Sequence, residues 1–338
     1  MSDQLRVGEA IIDLLTREYG VDTVFGIPGV HNIELYRGLH RSGVRAISPR
    51  HEQGAGFMAD GWSVITGKPG VCVLISGPGL TNALTPIAQA YHDSRPMLII
   101  ASTTPTNALG KSFGPLHDLP DQAALVRSIC AFSETVTDAQ ELPQLIERAW
   151  NVFTSQRPRP VHLAIPMDVL EQMCARFEKV DTEAHRPVPA ASEIKRAVEL
   201  INAATNPIVV AGGGCVDAGA QLAKFAEAID APVVLTGNAK GVLSSTHPLC
   251  AGNCLVFGLE AHDWRNRAKD FFTQDCSIRL HTHEHGWLEE VTFAFARLST
   301  NDNRATLLNG GVYQALHVAA SALVDYRATG GVCVNTAS

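Results

Sequence analysis

The chain is short of positive charge: 27 Lys and Arg stand against 34 Asp and Glu in 338 residues, a formal net charge of -7 with a pI near 6.0. That balance leaves no basic footprint for nucleic acid. Long apolar runs are missing as well, although 46% of the residues are hydrophobic, so no membrane span can be read. The opening "MSDQLRVGEAIIDLL" lacks the apolar core of a signal peptide and reads as the charged start of an amphipathic helix. The eight cysteines are scattered, several within apolar segments such as "GVCVLISG". They read as free thiols in a reducing compartment, not as a disulfide framework. Internal repeats and low-complexity tracts are also missing. What remains is the expectation of a soluble cytoplasmic protein, long enough for two domains with cores of their own.

The first half alternates β-branched runs with helical patterns. "VDTVFGIPG" is a strand running into a Pro-Gly turn, and "HNIELYRGLHRSG" continues as a helix ending at Gly43. "VRAISP" is a second strand, followed by a helix that begins near His51. "GVCVLISGPG" is a third strand and turn, then the helix "TNALTPIAQAYHDS" and the strand "PMLIIAST". After a loop near "GPLHDLPDQ" come helix 121–130, a strand near "SETVTD", helix 139–155 and the strand "PVHLAIP". This alternation predicts a doubly wound parallel sheet in an α/β domain, residues 1–170. Ligands of such sheets bind beyond the carboxyl ends of the strands. "GIPG", "PRHE" and "SGPG" all fall at such ends.

Residues 171–190, with their late prolines, read as a linker. A partial second α/β domain follows at 191–262, opening with Ser192 as an N-cap: helix "SEIKRAVELINAA", strand "NPIVVAGGGC", helix "DAGAQLAKFAEAI" and strand "APVVLTG". "GGGCVDAG" does not satisfy G-x-G-x-x-G and reads as a tight strand-to-helix turn. Residues 263–338 show no strand-helix alternation and stay unassigned. Within them His281, His283 and His285 alternate in "HTHEH" with Cys276 close by, a spacing zinc could use. No supporting shell is identifiable there, and no metal site is assigned.

"SPRHEQGAGFMADGWSV" sets a single carboxylate, Glu52, before the small and apolar residues Ala55, Gly56, Phe57, Met58 and Ala59. The ordinary account is a first-turn acid that favours a helix N-terminus. The flanking motifs point elsewhere. "GVDTVFGIPGVHNIELYRGL", the stretch from "SPRHEQGAGFMADG" through "SGPGLTNALTPIAQAYHDSRPMLII", and "RPRPVHLAIPMDV" together resemble the N-terminal half of the thiamine-diphosphate-dependent enzymes of the acetolactate synthase type. Within that group they are most similar to the 2-ketoarginine (5-guanidino-2-oxopentanoate) decarboxylases. The likeness runs through Val169 and continues more weakly to about Gly252, where "NPIVVAGGG" and "APVVLTGNAKGVLSSTHPLCAGN" look like the family's central domain.

The resemblance implies that Glu52 contacts the aminopyrimidine ring of thiamine diphosphate. A carboxyl group sharing a proton with ring N1' favours the tautomer whose imino group removes the thiazolium C2 proton, most effectively in an apolar pocket. It implies further cofactor contacts at Pro28 and Gly29, and at Gly77, Pro78, Gly79 and Asn82 of the "SGPG–TN" turn. His117 lies where relatives carry a glutamine near the substrate; a surface-loop histidine accounts for it equally, and His31 reads equally as a helix cap. Members of the family hold Mg²⁺ on the diphosphate with a Gly-Asp-Gly and a later Asn-Asn in a third domain. No Gly-Asp-Gly occurs here, and nothing places the FAD that some acetolactate synthases carry. The expectation is a decarboxylase-like or acetolactate-synthase-like chain with the aminopyrimidine half-site alone, acting on a small 2-oxo acid as a homo-oligomer or with a separate diphosphate-binding chain. Its rival is a silent, truncated remnant or interaction subunit whose tail, 263–338, never belonged to the fold.

Overall fold

A computed structural model describes residues 4–182, 184–204 and 207–253 in full, and the backbone of short strands at 278–281, 291–295 and 306–309. The chain divides into two units, Met1–Arg186 and Pro187–Ser338.

The first unit runs β1 (Gln4–Arg6), α1 (Val7–Tyr19), β2 (Thr23–Gly26), α2 (Ile33–Ser42), β3 (Arg45–Ile47), α3 (Glu52–Thr66), β4 (Gly70–Leu74), α4 (Pro78–Asn82), α5 (Leu84–His92), β5 (Met97–Thr103), α6 (Gln122–Val126), β6 (Phe132–Thr135), α7 (Leu142–Ser155), β7 (Pro160–Pro166), α8 (Met167–Leu170) and β8 (Met173–Ala175). Six strands form one parallel sheet in the order β3-β2-β4-β5-β7-β6. Every residue of β4, β5 and β7 is buried, as a sheet covered on both faces requires. Side chains alternate between two cores: Val71, Val73, Leu98, Ile100, Val161 and Leu163 face one, while Cys72, Leu74, Met97, Ile99 and Ala101 face the other. This is the doubly wound arrangement expected from the strand-turn-helix pattern. The chain passes from β2 outward to β3, then returns to the other side of β2 for β4. The order therefore reverses between β2 and β4, which opens a crevice beyond their carboxyl ends.

Close approaches press α3 onto β4 and onto α5. A Cβ at Gly70 would lie 2.2 Å from the Ala59 carbonyl oxygen, and one at Gly56 would lie 2.3 Å from the Pro86 ring. The chain needs hydrogen atoms at both positions. Three details differ from the sequence expectation. The first residues form β1, paired antiparallel with β8, and α1 begins only at Val7, where Glu9 accepts a hydrogen bond from the Arg6 amide at 3.1 Å. The single helix expected over "TNALTPIAQAYHDS" is two, α4 and α5, parted at Ala83. Pro86 explains the break, because it has no N–H for the Asn82 carbonyl and is tolerated only in a first turn.

The second unit holds α9 (Ala191–Ala203), β9 (Pro207–Ala211), α10 (Gly219–Ile229), β10 (Val233–Leu235), β11 (Cys250–Asn253), β12 (Ile278–His281), β13 (Val291–Phe295) and β14 (Thr306–Asn309). Its sheet runs β11-β10-β9-β13, parallel except for β13, which pairs antiparallel with β9; β12 and β14 form a separate parallel pair. Strands therefore occur within 263–338, the stretch left unassigned from sequence. Ser192 is not the N-cap of α9: Ala190 holds that position, with no side-chain cap bond.

Candidate functional site

Three connections meet beyond the carboxyl ends of β2, β4 and β5. After β2 the chain turns through Pro28, which is exposed, and Gly29. Asn32, fully buried, clamps this turn: its Oδ1 accepts from the Gly29 amide at 2.8 Å and its Nδ2 donates to the Ile27 carbonyl at 3.1 Å. After β4 the turn Ser76-Gly77-Pro78-Gly79 enters α4. Gly77 has φ 60°, ψ -113°, a conformation that suits only glycine. Ile75 lies between the two turns, since Cβ atoms at Gly29 and Gly79 would fall 2.3 and 2.4 Å from its side-chain carbons. Glycine at both positions keeps the backbones on either side of Ile75 close.

Glu52 opens α3 at the same end of the sheet. His51 caps the helix, its Nδ1 accepting from the Gln53 amide at 3.1 Å, which sets Glu52 in the first turn. Its half-buried carboxylate accepts one hydrogen bond, from Asn82 Nδ2 to Oε2 at 2.9 Å. A Cβ at Gly79 would lie 3.8 Å from Oε1. Among the described residues no group bonds Oε1, which leaves it for a ligand. The Tyr36 phenol stays well above its ordinary range, through burial first and then the nearby Cys72 and Glu52.

His31 and His117 come together although 86 positions apart in the chain. Their rings meet edge to face with centroids 5.6 Å apart. His31 is buried and its Nδ1 is hydrogen-bonded to Ser76 Oγ, a contact across the crevice between β2 and β4. It does not cap the short helix it sits in, which has no side-chain cap bond. Burial, and then His117, hold its imidazole below the usual histidine range. His117, in the loop after β5, has φ 61° and a buried Nδ1 without a partner among the described residues. A Cβ at Gly77 would lie 2.6 Å from the His117 carbonyl oxygen, so that glycine lets the loop seat against the β4 turn. Buried Gln122 ties the same turn to β5: its Oε1 accepts from the Gly77 amide at 3.1 Å and its Nε2 donates to the Ser102 carbonyl at 2.9 Å.

The structure thus brings Gly29, His31, Glu52, Gly77, Gly79, Asn82 and His117 to one end of the sheet, with Pro28 at its exposed rim. Sequence reasoning missed Asn32, Ser76 and Gln122. The legible signal for Gln122 was a polar residue on the buried side of a short apolar helix; Ser76 and Asn32 carried none. Of the "HTHEH" histidines, His281 ends β12, while His283, His285 and Cys276 lie outside the described residues. Among the described residues no cluster of three or more metal-ligating side chains occurs, and no helix is long and apolar enough to cross a membrane.

Comparison with known proteins meets this geometry. Residues 5–125 match the N-terminal TPP binding domain of thiamine pyrophosphate enzymes, and residues 194–271 match their central domain. A probable 2-ketoarginine decarboxylase of Pseudomonas aeruginosa is 49% identical over 253 residues, 74% of this chain and 45% of the relative. Acetolactate synthase of Arthrospira platensis is 35% identical over 271 residues, 77% of this chain and 46% of the relative. The large subunit of acetolactate synthase isozyme 1 of Escherichia coli is 35% identical over 263 residues, 76% of this chain and 45% of the relative. The chain spans about half the length of these curated relatives. With a doubly wound sheet, a crevice at its reversal point and two matched domains in sequence order, the chain belongs to the thiamine pyrophosphate enzymes of the decarboxylase and acetolactate synthase type.

Proposed function

We propose that this chain holds the aminopyrimidine half of thiamine diphosphate at the β2–β4 crevice and takes part in decarboxylation of a small 2-oxo acid. The observation that carries this reading is Glu52, with Oε2 held by Asn82 and Oε1 unbonded at a ligand-binding end of the sheet. The site suits the group: the glycines at 29, 77 and 79 let the turns pack tightly around Ile75 and the His117 loop at this end of the sheet, and the first-turn carboxyl stands ready for ring N1'. When bound, thiamine diphosphate supplies the carbanion and the electron sink for decarboxylation. Glu52 holds the proton shared with N1', Asn82 orients the carboxyl, and Pro28, Gly29, Gly77, Pro78 and Gly79 line the ring's approach.

No Gly-Asp-Gly occurs in the sequence. The diphosphate and its Mg²⁺ are therefore assigned to a further domain, carried by another segment or another subunit. α3 supports such a partner, because the helix that begins at Glu52 exposes Phe57, Met58, Val64 and Ile65. The likeness to a probable 2-ketoarginine decarboxylase favours a guanidino 2-oxo acid as substrate. The same exposed face supports a second reading, a silent interaction subunit.

Turnover decides between them. The chain alone, given thiamine diphosphate and Mg²⁺, is expected not to decarboxylate pyruvate or 2-ketoarginine. Combined with a diphosphate-binding domain it is expected to do so, and Glu52→Gln should lower that rate about 10²–10⁴-fold with the circular dichroism unchanged. An undiminished rate in the variant removes Glu52 from the mechanism. No turnover in any combination leaves the interaction subunit.

A further inference from the structure

The hydrogen bond between His31 and Ser76 has a direction, and that direction decides what the imidazole offers. Ser76 Oγ is fully buried and His31 Nδ1 is its one partner among the described residues. A hydroxyl has one proton to give, and a buried donor left without an acceptor is costly. If His31 Nδ1 carried the proton, the serine proton would have no acceptor. If Ser76 donates to Nδ1, none is stranded, and the histidine proton sits on Nε2. His117 leads to the same tautomer. Its Nδ1 is buried without a partner among the described residues, and an unspent lone pair there costs less than an unspent N–H, so its proton also belongs on Nε2. The two rings meet edge to face at 5.6 Å, and His117 is held in the left-handed region, φ 61°. A non-glycine residue keeps that conformation only where its surroundings impose it, and such positions gather at functional sites.

We propose that Ser76 is a positioning residue that fixes His31 in the Nε2–H tautomer, and that His31 and His117 together present two Nε2–H donors to the carboxylate and oxo oxygens of a 2-oxo acid. This rests on the 2-oxo acid reading above and names the groups that recognise the acid. The ligand's adjacent oxygens are acceptors only, and a pair of donors matches them. A fixed tautomer keeps one donor from turning into an acceptor, which would repel the same oxygens.

The test uses the full chain labelled with ¹⁵N in its histidines and long-range ¹H–¹⁵N correlation spectra. Both His31 and His117 are expected in the Nε2–H form without any ligand. Ser76→Ala should shift His31 toward the Nδ1–H form and leave His117 in place. Pyruvate should move the Nε2 signals of both histidines, acetate at equal concentration should not, and Ser76→Ala should weaken pyruvate binding about fivefold. An Nδ1–H tautomer at His31 in the unsubstituted chain overturns the positioning role, and that measurement stands even if Ser76→Ala fails to fold. Pyruvate moving neither ring, or acetate moving both equally, overturns the donor pair. These readouts need no cofactor. Failure of the thiamine diphosphate reading is seen separately, as absent turnover and absent cofactor binding with the tautomers intact.

Discussion

Two glycine-rich turns leave parallel strands in this protein, "SGPG" after β4 and "GGGC" after β9, and their surroundings differ. Around the first stand buried Ser76, His31 and Gln122, with Glu52 and His117 beside them. Around the second, β10 closes the turn through the Thr236 amide, which donates to the Ala211 carbonyl at 2.9 Å. Cys215 there is an inert thiol whose pKa burial has pushed up to about 12. Among the described residues every buried carboxylate and imidazole lies in the first unit. Glycine allows close approach in both turns, but only one has polar side chains gathered from four separate connections. Glycine density marks a tight turn; the assembled polar groups mark the candidate site.

The largest expected effect tests how tightly the first crevice is built. A Cβ at Gly26 would lie 1.9 Å from the Val73 carbonyl oxygen and 2.9 Å from the Tyr36 hydroxyl. Backbone cannot yield there cheaply, so Gly26→Ala should cost the first unit about 3 kcal/mol or more. A Cβ at Gly213 in the second turn would lie 3.1 Å from the Asn238 Cβ and 4.0 Å from its carbonyl oxygen, and Gly213→Ala should cost less than about 1 kcal/mol. Urea unfolding with hydrogen exchange at β4 and β9 reads each unit separately. Equal losses would erase the contrast.

Acid should separate the units next. His162, within β7, is fully buried and among the described residues has one hydrogen bond, from Nδ1 to Ser133 Oγ at 2.8 Å, with no partner at Nε2. Burial holds its pKa down at about 3, against 6.5 when exposed. The unfolded chain therefore binds the proton first. The stabilisation is whole above pH 6.5 and is lost as the pH falls toward 3, with a slope of about 1.4 kcal/mol per pH unit. Urea midpoints for the first unit across this range should show that slope, and His162→Leu should flatten it. A slope unchanged in the variant would assign the acid response elsewhere.

The smallest effects concern helix starts. Asp121 caps α6, its Oδ1 accepting from the Ala124 amide at 2.8 Å, and Asp121→Ala should cost about 1 kcal/mol. Ser192, which the sequence marks as a cap, lies inside the first turn of α9 with no cap bond. Ser192→Ala should stay within about 0.5 kcal/mol. Thermal melts of the two variants suffice, and a larger loss at Ser192 would restore the sequence reading.

Strand and helix order in the first unit is legible in the sequence, because period-two and continuous apolar runs are local properties. β7 matches "PVHLAIP" to the residue, and "GIPG", "PRHE" and "SGPG" fall at or just beyond the carboxyl ends of β2, β3 and β4, as expected. Pairings between distant segments were not readable. β1 and β8 are three residues each, too short for a period, and exist because each supplies the other's hydrogen bonds. β13 lies in a stretch with no alternation and is a strand through its antiparallel pairing with β9.

The site divides in the same way. Residue type alone leaves Glu52 an ordinary first-turn acid; the resemblance of the surrounding motifs to a known family singles out Glu52, the glycines and Asn82. Whether His31 was a cap, or His117 a loop residue, depended on what lay opposite. Only the fold brings Ser76 to one ring and sets the second ring against the first. Hydrogen bonds across a sheet's reversal point join residues that the chain itself keeps far apart, so the sequence determined the parts of this site and the tertiary structure decided their partners.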